Sequence, residues 1–266
     1  MSKRNSQEAK RAARERLKIE RERQAKKDRL RRQLLAVGGV VAVLAIGGGI
    51  ALGVSKMDDD DTSGDGKDWA AAAKAKLVEP ANTSGKNGTT VVVGGADAKT
   101  AIDTYEDMRC PACAGFEQAL GEKLKQGAKD GKYKLTVHLG AIIDQNMTGT
   151  GSRNAISALG AALNVSPEAF AEYHGLLYST EHHPEESQDK FAENAYLLKV
   201  AENVKELKGN SAFKTAVEKG TYDKWALEMV DSFNDAGIKG TPTVRIDGKD
   251  IKTEELPAKL AELGVK

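Results

Sequence analysis

The sequence predicts an α/β protein whose strands are interrupted by a block of helices and preceded by one transmembrane helix. Three observations predict it. Residues 34–54 form an apolar run without a charge. Beyond that run, segments with strand and helix patterns follow in the order β-β-α-β, a helical block, then β-β-α. The chain's 2 cysteines, Cys110 and Cys113, stand where the second strand gives way to the first helix.

The chain has 266 residues and a net charge of +1, which conceals a strong asymmetry. Residues 1–34 carry 14 Lys/Arg against 5 Asp/Glu, whereas the remainder carries 26 against 34. The basic segment, residues 1–33, contains no aromatic residue and adjoins the apolar run, so it is a solvated stretch that sets topology rather than a nucleic-acid-binding arm. As a helix, the 21 residues of "LLAVGGVVAVLAIGGGIALGV" span roughly 31 Å, the thickness of a bilayer's hydrocarbon core. Arg29, Arg31 and Arg32 precede it and "DDDD" follows at 58–61, which places the N-terminus in the cytoplasm and the rest outside. Residues 55–88, rich in Asp, Ser, Gly, Lys and Ala, are expected to be a tether with one short helix at "DWAAAAKAKL". A flexible chain of that length reaches ~30–35 Å.

The folded domain is expected over residues 89–266. "TTVVVGG" and "KTAIDTYEDM" are β-branched, strand-like segments, and "AGFEQALGEKLKQGAK" repeats Phe116, Leu120 and Leu124 at helical spacing. "YKLTVHLGAII" alternates Tyr133, Leu135, Val137 and Leu139 with Lys134, Thr136 and His138, and is therefore a third strand. The helical block follows, over about 145–236. Ser166-Pro167 opens one of its helices and Gly237 stops the last. "TPTVRIDGKDI" supplies two short strands about an Asp247-Gly248 turn, and "TEELPAKLAELG" supplies a final helix. His182-His183, in "TEHHPEESQDK", falls in an exposed polar loop between helices.

The cysteine pair does chemistry rather than stapling. A disulfide closing a four-residue loop stabilises by only ~2 kcal/mol, against ~4–5 for a loop of about 100 residues. At a strand-to-helix junction Cys110 meets unpaired backbone N–H groups, which favour the thiolate, the attacking species in disulfide exchange. Cys113, one turn on, can attack a mixed disulfide intramolecularly. Half of a zinc site looks the same, but there is no third cysteine and the histidines at 138, 174, 182 and 183 lack ligand spacing to the pair.

"IDTYEDMRCPAC", a long helical stretch and then "AGIKGTPTVRIDGK" resemble the DsbA-like thioredoxin-fold thiol:disulfide oxidoreductases, more narrowly their membrane-anchored, extracytoplasmic bacterial members. The resemblance implies a thioredoxin fold with an inserted helical domain, Cys110 as nucleophile and Cys113 as resolving cysteine. It also implies that Pro242 is a cis-proline facing them and that Thr241 presents backbone to a substrate peptide. Pro111 and Ala112, between the cysteines, would tune the couple. The family's buried acid, six residues before the first cysteine, is replaced here by Thr104, leaving Asp103 or a water to handle the proton. No metal or separate cofactor is expected beyond the Cys110–Cys113 disulfide itself. The expected partners are thiol-bearing secreted or membrane proteins, a redox-recycling protein and the membrane, with no nucleic acid. A reductase or isomerase on the same fold, and a redox-inert peptide-binding module, are the alternative readings.

Overall fold

The computed structural model describes residues 67–94 and 97–265. The basic segment 1–33, the apolar run 34–54 and the first part of the expected tether lie outside the described residues. Among the described residues no helix is long and apolar enough to cross a membrane.

Five strands form one sheet: β1 Val91–Val93, β2 Ala101–Asp107, β3 Lys134–Gly140, β4 Thr243–Ile246 and β5 Lys249–Ile251, in the order β1-β3-β2-β4-β5. The central pair, β2 and β3, is parallel, and the other pairings are antiparallel. A parallel pair needs a crossover, and this one is helical. It runs through α2 (Pro111–Phe116), a π-helical stretch over Glu117–Gly121 and α3 (Glu122–Lys129). The hairpin between β4 and β5 turns on Asp247 and Gly248, both at positive φ, as a two-residue turn demands.

Between β3 and β4 the chain runs through helices α4 (Ile142–Met147), α5 (Gly151–Val165), α6 (Pro167–Leu177), α7 (Asn194–Ala201), α8 (Ser211–Glu218) and α9 (Asp223–Asp235). Helix α6 begins as its sequence requires: Ser166 Oγ accepts from the Ala169 N–H at 2.9 Å, with Pro167 in the first turn. Helix α9 ends before Gly237, which takes φ +68°. One hydrophobic core joins the sheet to this block, with Trp225, Phe170, Tyr173 and Met229 fully buried in it. The final helix, α10 (Leu256–Glu262), anchors Leu256 and Leu260 there too.

Strand β3 is covered on both faces along most of its length. Thr136 is buried and His138 is only partly exposed, because α9 covers the polar face. Gly140 makes that approach possible: a Cβ there would stand 2.8 Å from the Phe233 ring. His138 stacks on Tyr105 with ring centroids 4.4 Å apart, and its Nε2 meets Asp103 at 3.1 Å.

The expected tether over 55–88 is corrected from residue 67 onward. Residues 67–88 form a strap docked on the helical block, led by α1 (Trp69–Lys74), which Asp68 caps. Lys67 pairs with the buried Asp223 at 2.8 Å, and Arg153 stacks over the Trp69 ring. The Ala81 N–H donates to Asn164, Asn82 donates to the Leu163 carbonyl, Asn87 donates to Glu228 and the Trp225 indole N–H donates to Gly88. Polar, Gly- and Ala-rich composition describes a linker equally well. Docking here rests on a few side chains that fit one surface.

Candidate active site

Strand β2 delivers Cys110 to the start of α2. Cys110 is the N-cap residue, its N–H donates to Asp107 and Pro111 occupies the first turn, where a missing N–H costs nothing. Both cysteines are free thiols; Cys110 is 8 % exposed and Cys113 is fully buried. The exposed Pro111 and Ala112 form the surface between them. Thr241-Pro242, some 130 residues away, lies against the pair: its peptide bond is cis, and Cys110 Sγ is 3.7 Å from the Thr241 carbonyl oxygen. The sheet explains this meeting, since β4 pairs directly with β2.

The two thiols are driven apart. A hydrogen bond from Cys113 is the largest influence on Cys110 and, against the opposing effect of burial, brings it down to about 7. The Thr241 side chain and the N–H groups of Cys113 and Ala112 help. Cys113 is pushed well above its ordinary value by burial first, then by Cys110 and by the charge of Glu106.

Glu106 is the carboxylate whose charge acts on Cys113, and it corrects the expectation placed on Asp103. Alternation along β2 puts Ile102, Thr104 and Glu106 on one face and Asp103 and Tyr105 on the other. Asp103 therefore spends its carboxylate on His138, away from the sulfurs. Glu106 is 0 % exposed and neither of its oxygens accepts a hydrogen bond among the described residues. Its Oε2 lies 3.3 Å from His174 Nε2, an ion contact rather than an aligned hydrogen bond. The opposite ring nitrogen, Nδ1, lies 3.7 Å from Glu117 Oε2. Burial, then repulsion from Glu106, lifts Glu117 to about 7. His174 is raised as well: burial opposes its charge, but Glu106 and Glu117 together outweigh it. The sequence contained a signal for Glu106, because it shares the Thr104 face two residues on. His174, inside an apolar helix, gave none.

The approach to Cys110 is fixed from behind. Arg109, 3 % exposed, pairs with Asp144 at 3.0 Å and Asp189 at 3.1 Å, and donates to the carbonyls of Thr148 and Glu186. Asp107 accepts from the Ile143 and Arg109 N–H groups and the Ser152 hydroxyl, and burial raises it to about 6. The loop expected to be exposed around His182-His183 is partly packed: His183 Nε2 is 3.1 Å from the Met108 carbonyl, and its ring stacks on Tyr178. Thr180–Lys190 is thus tied to the residues that lead into the cysteine turn.

Comparison with known proteins agrees with this architecture. A family model described as Thioredoxin matches residues 86–263. The serine/threonine-protein kinase PknE of Mycobacterium tuberculosis is 25% identical over 176 residues, covering 65% of this chain and 31% of that protein. The chain thus spans about a third of the curated relatives it matches. Among solved structures, the reduced disulfide bond oxidoreductase DsbG of Mycobacterium tuberculosis matches with TM-score 0.56 and 25% identity, over 66% of this chain and 88% of that one. DsbA of the same organism matches with TM-score 0.56 and 24% identity, over 67% and 93%. MdbA of Corynebacterium matruchotii, a thiol-disulfide oxidoreductase, matches with TM-score 0.54 and 20% identity, over 72% and 95%. The chain belongs to the thioredoxin family, in its DsbA-like form with helices inserted between β3 and β4.

Proposed function

We propose that this protein is an extracytoplasmic thiol:disulfide oxidoreductase that oxidises dithiols of secreted or membrane proteins. The observation that carries the reading is the contrast between its two thiols, Cys110 near 7 and Cys113 far above it, beside Thr241-Pro242. A substrate thiolate attacks Cys110 of the disulfide form, and Cys113 leaves and is protonated. A second substrate thiol then displaces Cys110, whose low pKa makes it a good leaving group. Two electrons and two protons pass from substrate to enzyme. A recycling protein takes them away. Thr241 and Pro242 line the position of the incoming peptide, and Pro111 and Ala112 set the couple. Glu106 takes the proton-handling position expected of Asp103.

The direction follows from the stabilised thiolate: what favours the reduced form makes the disulfide oxidising. The measurement is the reduction potential of the Cys110–Cys113 couple against glutathione. A value well above that of thioredoxin (about −270 mV) is expected. A value near thioredoxin's, with an ordinary Cys110 pKa, would move the protein to the reductases.

The charge asymmetry around residues 34–54 supports a single-pass anchor with the N-terminus cytoplasmic. Newly translocated, still reduced chains are available outside, where disulfides persist.

A further inference from the structure

Cys113 has no exposed surface, yet every turnover adds or removes its proton. Glu106, on β2, acts on Cys113 by its charge, and from it a line of side chains leads outward. It is buried and neither of its oxygens accepts a hydrogen bond among the described residues. His174, on α6 of the inserted block, presents one ring nitrogen to Glu106 at 3.3 Å and the other to Glu117 at 3.7 Å. Glu117 borders a cavity of about 10 Å³ also lined by Thr104 and Lys125, and Lys125 pairs with the exposed Glu122 at 2.7 Å. Tyr178 packs edge-on against the imidazole and Phe170 stacks on it, which fixes the ring plane. The charged and titratable groups facing His174 are therefore Glu106 from β2, Glu117 from the π-helical stretch, Lys125 from α3 and Tyr178 after α6. An imidazole with a carboxylate at each nitrogen is arranged to accept a proton on one side and release one on the other.

We propose that His174, a residue of the inserted helices, carries the Cys113 proton between Glu106 and Glu117, so that the buried thiol exchanges protons with solvent through the insertion. The proposal rests on the oxidoreductase reading and goes beyond it, since nothing in that reading needs His174. In the direction of enzyme oxidation by glutathione disulfide, the Cys110 thiolate attacks one sulfur, a Cys110–glutathione disulfide forms and one glutathione thiolate leaves. Cys113 then gives its proton to Glu106 and attacks the Cys110 sulfur. The Cys110–Cys113 bond forms, the second glutathione leaves as a thiolate and water protonates it. The enzyme dithiol loses two electrons and the glutathione disulfide gains them. The proton on Glu106 moves to His174 Nε2 as the Nδ1 proton passes to Glu117, then past Lys125 to water.

The experiment is stopped-flow oxidation of the reduced 266-residue chain by glutathione disulfide, which separates a second-order phase (Cys110) from a first-order phase (Cys113). In His174→Gln and in Glu117→Gln the first-order phase at pH 7 should slow at least tenfold while the second-order phase stays within about twofold. The deficit should narrow from pH 6 to pH 9 as hydroxide replaces the relay. An unchanged first-order phase in the variants would overturn the relay, as would equal slowing of both phases at every pH, the mark of damaged packing. Zinc retained by the wild-type chain and lost in His174→Gln would overturn it too, reassigning the cluster to a metal. Should His174→Gln not fold, Glu117→Gln, at the rim of the cluster, decides alone. A wild-type chain that shows neither phase overturns the oxidoreductase reading itself.

Discussion

Cys110 and Cys113 are the same side chain three residues apart, and position alone separates their chemistry. Cys110 sits at a helix start among hydrogen-bond donors; Cys113, one turn on, is buried in the core, gives its hydrogen bond to Cys110 and feels the charge of Glu106. Alkylation of the reduced chain should therefore follow a single thiol with a midpoint at about 7, the second labelling only above pH 9 or on unfolding. The sign of the linkage is set by the same shift. The folded value of Cys110 lies below the ordinary 9.0, so its contribution to the reduced fold is complete above pH 9 and is lost as the pH falls through about 7. Its full size is about 3 kcal/mol, and Cys110→Ser should remove that slope from denaturation curves taken between pH 7 and 9. Thr241-Pro242 came into view only through the family resemblance, since a Thr-Pro step by itself reads as an ordinary turn. Both cysteines were legible in the sequence because they form a short motif whose residue types have few other uses. Glu106 was not, although strand alternation places it on the Thr104 face. A buried acid leaves no local pattern when the residues around it are equally charged, as they are in "YEDMR".

Among the elements, legibility followed the strength of the local signal. The order of strands and helices could be read because capping serine, stop glycine and β-branched runs act within a few residues of themselves. What could not be read was contact between distant elements: α9 over the polar face of β3, and residues 67–88 against α5 and α9. The strap is held by indole, amide and ion-pair contacts rather than by an apolar stripe, so its sequence resembles a linker. Trp225 is the test. Its N–H donates to the Gly88 carbonyl at 2.8 Å inside the core, and Trp225→Phe leaves that carbonyl unpaired as well as a space beside it. Stability should fall by ~1–3 kcal/mol, measured by denaturant unfolding, and residues 67–88 should become cleavable by protease under conditions that spare the wild-type chain.

For the molecule as a whole, the proposed topology makes one prediction. A membrane-impermeant maleimide should label reduced Cys110 on intact cells; labelling only after lysis would reverse the orientation. The docked strap bears on that arrangement. On the proposed topology the bilayer span would end at residue 54, and the strap is docked by residue 67, so at most twelve residues, 55–66, would lie between the two. A linker of twelve residues would reach about 17–21 Å, against the ~30–35 Å of a 34-residue one. On that topology the protein would not sample the extracytoplasmic volume as a dissolved protein does. Its search for substrate would be two-dimensional, paced by lateral diffusion in the membrane, and would favour thiols on chains still held at that surface.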